Sequence, residues 1–191
     1  MKRVTVFCGS SFGNDSVFGE VAYELGKTLA EQQIKLVYGG ANVGLMGAVA
    51  NGVLDHGGEV TGVLPRFLQE KEIAHRNLTK LILVEDMHER KKKMNELSDG
   101  AIALPGGFGT MEELFEMLTW GQLGLHRKPV AVLNANGFFD DMLSFVGVMI
   151  NKGFIAQRFK DMLIHDSSIP QLLETMKNYS APMEKWIVER E

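Results

Sequence analysis

The sequence predicts an α/β fold, in which a mostly parallel sheet is flanked by helices on both faces. Short β-branched apolar runs recur along the chain, and most are followed by a segment with helical apolar spacing. This alternation is typical of parallel sheets, because parallel neighbours need a crossover helix between them. The predicted strands are residues 4–8, 36–38, 60–64, 81–84, 101–104 and 130–133. The predicted helices are residues 16–32, 44–56, 86–97, 110–121, 138–151 and 170–179.

The length and composition favour a single domain over residues 1–191. A chain of 191 residues that is 45% hydrophobic can bury one full core, and no repeat, linker or low-complexity stretch divides it. The residues from Ser180 onward are expected to be peripheral. The net charge of −4 argues against a nucleic-acid surface, and the basic run at 90–93 is too short to change that.

The cysteine and histidine pattern favours a cytoplasmic protein without a metal or cofactor. Cys8 is the only cysteine and has apolar neighbours, so we expect a buried thiol in a reducing compartment. The apolar run at 4–8 is too short for a signal peptide, and no later run could span a membrane. The five histidines lack the spacing of a metal site.

Three glycine-containing turns follow predicted strands. In a parallel sheet the carboxyl ends of the strands share one edge, and ligand crevices form outside that edge. Ser10 and Ser11 in the first turn are either ligand contacts or caps of the turn. The first, second and third turns span residues 8–11, 38–47 and 105–110.

The second turn partly resembles a dinucleotide-binding fingerprint. That fingerprint belongs after the first strand and requires an acidic residue at the end of the next strand, about 20 positions on. Here Glu59 precedes the next strand instead of following it. The pattern therefore disfavours an NAD-dependent oxidoreductase. Two interpretations of the glycines stay open: direct ligand contact, or tight turns with close packing of helix on sheet. These glycines are Gly39, Gly40, Gly44 and Gly47.

The helix predicted at 86–97 carries a cation on its inward side. Asp86 and Glu89 have the spacing of a capping box, which predicts the start of this helix. Arg90 and Lys91 fall on its apolar stripe, and an inward cation needs an anionic partner. A ligand phosphate or a site carboxylate would satisfy Arg90. The alternatives are that Arg90 extends to the surface or pairs with a structural acid. The apolar stripe consists of Met87, Met94 and Leu97.

The third turn combines an apolar strand, three glycines and a helix with two carboxylates. The glycines allow close backbone approach to a ligand, and the helix dipole favours an anion such as phosphate at this end. Glu113 is expected in the first turn of the helix, where two roles stay open. It either completes a capping box with Thr110 or faces the ligand as a catalytic carboxylate.

The residues PGGFGTMEE at 105–113 match the P-G-G-x-G-T-x-x-E signature of the Lonely Guy (LOG) family, whose members are often mislabelled lysine decarboxylases. The blocks CGSS at 8–11, YGG…GLMG at 38–47 and MHERK at 87–91 resemble the other family blocks in the same order. The resemblance extends from the first strand through Asn178. The signature and the Arg-Lys block are together specific to the family.

This resemblance implies a Rossmann-like homodimer. It implies hydrolysis of the N-glycosidic bond in adenosine-type nucleoside 5′-monophosphates, including cytokinin riboside monophosphates and AMP, to free base and ribose 5-phosphate. Arg90 and Glu113 would be the catalytic pair. The residues implied to hold the 5′-phosphate are Gly106, Gly107, Phe108, Gly109 and Thr110. The other implied nucleotide contacts are Ser10, Gly40, Met87 and Lys91.

One departure and one competing function follow from the same residues. The family often has a third glycine where this chain has Ala41, so we expect the extra methyl group to crowd the backbone approach there. The competing function is a non-catalytic nucleotide-binding or sensing module, because phosphate turns bind with or without hydrolysis. Arg90 together with Glu113 favours an enzyme. Nothing identifies a lysine for a pyridoxal phosphate decarboxylase.

Overall fold

A computed structural model describes residues 1–69 and 74–184 of the protein. Its strands are β1 Arg3–Phe7, β2 Lys35–Tyr38, β3 Val60–Pro65, β4 Lys80–Val84, β5 Gly100–Ala103, β6 Val130–Leu133 and β7 Leu163–Asp166. They form one sheet in the order β4-β3-β2-β1-β5-β6-β7, and all neighbours run parallel. The predicted parallel sheet is confirmed.

Helices connect these strands. They are α1 Ser16–Glu31, α2 Gly44–Asp55, α3 Arg66–Gln69, α4 Met87–Leu97, α5 Phe108–Gln122, α6 Asp140–Asn151 and α7 Ile169–Lys177. Two short 3-10 helices occur at Ala135–Gly137 and Gln157–Met162. Within the two described ranges, no helix combines the length and apolar character needed to cross a membrane. The predicted peripheral tail lies outside the described residues from position 185 onward.

Strand β7 is the strand that the sequence pattern did not predict, and α3 and the two 3-10 helices were not predicted either. Only Leu163 and Ile164 are apolar in this strand, and His165 and Asp166 follow them. The strand lies at the edge of the sheet, where it pairs with β6 alone. An edge strand needs fewer apolar residues than a central one, which is why the run was too short to recognise.

The core lies on both faces of the sheet, as the predicted helix arrangement requires. Side chains alternate along β1, so that Val4 and Val6 pack in one cluster with α1, α2 and α7. Phe7 packs in the opposite cluster with residues of α4 and α5, against which residues of α6 also pack. The structure therefore has three layers, with the sheet in the middle.

The strand order reverses between β1 and β5. The chain adds β2, β3 and β4 on one side of β1 and then returns to pair β5 with its other side. In doubly wound sheets ligands bind at such a point, outside the carboxyl ends of the strands. The turns after β1, β2 and β5 lie at this edge, so the fold brings the three predicted glycine turns together.

Candidate active site

Backbone hydrogen bonds join the three turns. The N–H of Gly9 donates to the carbonyl of Pro105 at 3.0 Å, which links the first turn to the third. The N–H of Leu45 donates to the carbonyl of Gly9 at 3.1 Å, which links the second turn to the first. Gly44 has φ +52°, and a Cβ there would overlap the backbone of the first turn. The first turn is thus fixed between the other two.

The third turn leaves open space in front of the start of α5. A Cβ on Gly106 would meet the side chain of Thr110, whereas a Cβ on Gly107 or Gly109 would meet no atom within 4 Å. Phe108 is 97% exposed. A cavity of about 270 Å³ lies between this turn and the first one. Neither the backbone angles nor internal packing requires glycine at 107 or 109, so the free space is available to a ligand.

The capping-box interpretation of Glu113 is wrong. That box requires Thr110 at the N-cap, but α5 begins at Phe108 and its N-cap is Gly107, in extended conformation with φ −94° and ψ −153°. Thr110 is therefore the third helical residue and is buried. The sequence pattern predicted Glu113 in the first turn of the helix, but the residue lies in the second turn. The reason is that the helix starts two residues earlier than predicted. Its carboxylate is free for another role.

Glu113 is a partly buried carboxylate beside a cation. No hydrogen bond within the described residues holds it. Burial raises the pKa of Glu113 to about 7, and the nearby charge of Arg90 opposes that rise. Burial is also the main cause of the raised pKa of Cys8, with the charge of Glu113 adding to it and that of Arg90 acting against it. The three groups are therefore close enough to interact electrostatically, and Glu113 can gain or lose a proton near neutral pH.

Arg90 points inward, as its position on the apolar stripe predicts. The residue is 8% exposed, which excludes the alternative that it extends to the surface. Its Nε has no hydrogen-bond partner among the described residues, and Nη1 contacts only the sulfur of Met87, at 3.7 Å. No described acid forms a salt bridge with it. The guanidinium therefore keeps free donors at the site.

Gly39 makes room for this guanidinium. A Cβ at Gly39 would overlap Nη2 of Arg90 and lie 2.5 Å from the methyl carbon of Met46. The glycine at the end of β2 is thus required by a side chain that comes from α4. The sequence pattern grouped Gly39 with the turn glycines, and it held no signal for this particular contact.

The second turn also corrects the expectation for Ala41. The residue is fully buried in the core and forms an isolated antiparallel bridge with Ala74. Its methyl group therefore packs inside the protein and does not crowd a ligand. Gly40 has φ +88°, and its carbonyl accepts a hydrogen bond from the N–H of His75 at 3.0 Å.

The remaining predicted contacts have different surroundings. Ser10 is exposed in the first turn, and neither it nor Ser11 makes a side-chain hydrogen bond within the described residues, so no cap is formed. Met87 contacts Arg90. Lys91 is paired with two glutamates of α5 instead of standing free. As nucleotide contacts, these residues stay predictions.

The capping prediction for α4 is confirmed. The carboxylate of Asp86 accepts a hydrogen bond from the N–H of Glu89 at 2.8 Å. The carboxylate of Glu89 accepts a hydrogen bond from the N–H of Glu85 at 2.7 Å. In a standard capping box it would bond the N–H of the N-cap residue, here Asp86, which is one residue later. This cap fixes the first turn of α4 and hence the position of Arg90. No three potential metal-ligand side chains come together in residues 1–69 and 74–184.

These features define a Rossmann-like α/β protein with a partly buried acid and a buried guanidinium beside its glycine turns. A family model described as possible lysine decarboxylase matches residues 46–176. Cytokinin riboside 5′-monophosphate phosphoribohydrolase LOG2 of Arabidopsis thaliana is 43% identical, over 93% of this chain and 84% of its own length. The probable phosphoribohydrolase LOGL1 of Oryza sativa subsp. japonica is 45% identical, over 96% of this chain and 85% of its own length. The chain belongs to this LOG family.

A solved structure shares the fold. The molybdenum cofactor binding protein from the phototrophic bacterium Rippkaea orientalis is 23% identical, with a TM-score of 0.69 over 93% of this chain and 97% of its own. At that identity the likeness shows the fold alone. Function must be argued from the site.

Proposed function

We propose that the protein hydrolyses the N-glycosidic bond of adenosine-type nucleoside 5′-monophosphates, releasing the free base and ribose 5-phosphate. One observation carries the proposal: a buried guanidinium, whose Nε has no hydrogen-bond partner among the described residues, acts electrostatically on a carboxylate whose pKa is raised to about 7, at the switch point of the sheet. The names of the LOG relatives support this reaction. Arg90 and Glu113 would be the catalytic pair.

The third turn would hold the 5′-phosphate. The first backbone N–H groups of a helix point outward and carry the positive end of its dipole, which favours an anion. No side chain in the described part of the chain caps α5, so these donors face the open space in front of Gly107 and Gly109. The phosphate site would comprise Gly106, Gly107, Phe108, Gly109 and Thr110.

Glu113 would act on the sugar, one helical turn beyond the phosphate. Cleavage of an N-glycosidic bond passes through a sugar with positive charge at the anomeric carbon. As a carboxylate, Glu113 would stabilise that charge and accept a proton from the attacking water. Its raised pKa makes it a stronger base than an exposed glutamate. Arg90 would orient Glu113 and the ribose through its free donors.

The further contacts would complete the nucleotide site. Ser10 from the first turn, Gly40 from the second, and Met87 with Lys91 from α4 all come from elements that end or begin at the same edge of the sheet. We extend the proposal to these four residues. It also includes a cytoplasmic location, where an unpaired cysteine stays reduced.

Incubation with AMP and with isopentenyladenosine 5′-monophosphate, followed by chromatography, tests the reaction. We expect release of free base and ribose 5-phosphate from at least one substrate, no release by Glu113→Gln, and release at least about 100-fold slower by Arg90→Met. Glu96→Gln is the matched control, because it removes a carboxylate from an exposed pair with Lys93 on α4. Nucleotide binding without release by the wild-type protein would favour the binding-module alternative.

We also propose that the protein is a homodimer that pairs through α6. No residue of α6 is fully buried within the chain, and Phe145 and Val148 are 59% and 46% exposed. An apolar groove of about 250 Å³ lies between α5 and α6. Exposed apolar surface of this kind fits a symmetric interface. Light scattering should give a dimer mass for the wild type and a monomer mass for Phe145→Glu, and a monomeric wild type would contradict the proposal.

A further inference from the structure

The two helices that carry Arg90 and Glu113 are linked next to both residues. Lys91 directly follows Arg90 on α4, and Glu112 directly precedes Glu113 on α5. The ammonium of Lys91 lies 2.5 Å from a carboxylate oxygen of Glu112 and 3.0 Å from one of Glu116. Glu112 and Glu116 are four positions apart, so they lie on one face of the helix.

We call this cluster of Lys91, Glu112 and Glu116 the clamp. It is better shielded from water than an ordinary surface salt bridge. The side chain of Lys91 is only 10% exposed, and that of Glu116 is 22% exposed, whereas Glu112 is 53% exposed. Ion pairs shielded from water are stronger than exposed ones. Among the described residues, the clamp supplies the hydrogen bonds and ion pairs that run between side chains of α4 and α5.

We propose that the clamp is a positioning device that sets the distance between Arg90 and Glu113. This inference rests on the proposed function of that pair. Lys91 is tied to both carboxylates on α5, so a sideways shift or rotation of α4 must stretch at least one of these bonds. The same bonds fix the backbone of the residue next to each catalytic group. Since catalytic groups lose most of their effect when displaced by about 1 Å, a link at this point governs turnover more than binding.

The clamp has two carboxylates for one ammonium, so either glutamate alone should be able to hold Lys91. Removing either glutamate leaves one bridge in place, and removing both leaves none. Glu112 and Glu116 also raise the pKa of Glu113 through their charges, whereas Lys91 and Arg90 lower it. Kinetic measurements at about pH 8.5 separate a change in the position of Glu113 from a change in its pKa, because Glu113 is ionised at that pH in every variant.

The test uses Glu112→Met, Glu116→Met and the double variant, with Glu96→Met as the matched control. Methionine keeps a long side chain of high helix propensity and removes only the carboxylate. With AMP as substrate at about pH 8.5, each single variant should keep kcat within about threefold of wild type, and the double variant should lose at least about thirtyfold. KM for AMP should change by less than about twofold throughout, and Glu96→Met should match wild type in both constants.

Two results would overturn the inference. A double-variant loss equal to the product of the single losses would show independent charge effects and no clamp. A rise in KM with unchanged kcat would show that Glu112 and Glu116 only hold Lys91 for nucleotide binding and do not set the distance between Arg90 and Glu113. A wild-type protein that releases no base refutes the proposed function instead. In that case the clamp is tested by thermal unfolding. The clamp is refuted if the double variant lowers the unfolding temperature by no more than the sum of the decreases in the two single variants.

Discussion

Replacing Glu113 by glutamine is expected to stabilise the folded protein at alkaline pH while it abolishes hydrolysis. Burial raises the pKa of Glu113 from 4.5 to about 7, so the folded chain holds this proton more tightly than the unfolded chain. The stability that this proton contributes is complete below pH 4.5 and is lost as the pH rises through about 7. Glutamine resembles the protonated acid and has no charge to bury, so it avoids the loss.

The size of this effect follows from the two pKa values. They differ by about 2.5, and each pKa unit corresponds to about 1.36 kcal/mol. The ionised carboxylate therefore costs the folded state about 3 kcal/mol, nearly all of it already present at about pH 8. At about pH 5 the cost is only about 1 kcal/mol, because Glu113 is still protonated in the folded protein and the pH lies only slightly above the pKa of 4.5 in the unfolded chain.

Urea unfolding of the wild type and Glu113→Gln at about pH 5 and about pH 8 measures the difference. The advantage of the variant in unfolding free energy should grow by about 2 kcal/mol between the two conditions. Glu96→Gln should show no such growth, because its carboxylate is 49% exposed in an ion pair. Equal stability of wild type and Glu113→Gln at about pH 8 would refute the burial argument, as would a variant that is less stable at both pH values.

Three further substitutions test the site. Arg90→Met should lower kcat at least about 100-fold and move the acid limb of the pH profile upward, because Arg90 lowers the pKa of Glu113. Gly39→Ala should destabilise by about 1–3 kcal/mol and impair turnover, since the new Cβ displaces Arg90 or Met46; denaturation and kinetics on one preparation measure both. Gly107→Ala should change stability by less than about 1 kcal/mol but raise KM for AMP about tenfold, and an unchanged KM would contradict the phosphate site.

Much of the fold could be predicted because its strands are buried and its helices are amphipathic. Central parallel strands are covered on both faces and therefore consist of short apolar runs, which is the signal that identified β1, β2, β3, β5 and β6. Strand β4 lies at the other edge, and its apolar run at 81–84 was long enough to identify it. Strand β7 lacks that signal because an edge position requires less burial. The start of α5 was placed too late, since Gly107 supplies an N-cap without the polar side chain that normally marks one.

The site was predictable only in part, because its residues act through contacts between distant segments. Helical spacing sufficed to place Arg90 inward. It could not show that Gly39 provides the space for its guanidinium, which depends on how α4 lies across the end of β2. Local spacing left Glu113 ambiguous between cap and catalyst, and the actual helix start resolved that choice. The clamp partners of Lys91 depend on the packing of two helices, which no local pattern encodes.

Arg90 and Lys91 are adjacent cations on α4, and they differ in whether an acid is paired with them. Lys91 is paired with two carboxylates, so this region of the fold supplies acids to a cation that needs them. Its neighbour Arg90 is equally shielded from water, yet its Nε has no partner in the described part of the chain. Leaving a buried donor unpaired costs about 1–3 kcal/mol, and such groups in native proteins concentrate where function requires them. The free donors beside Glu113 are therefore preorganised for a ligand, and bonds to that ligand would offset their cost.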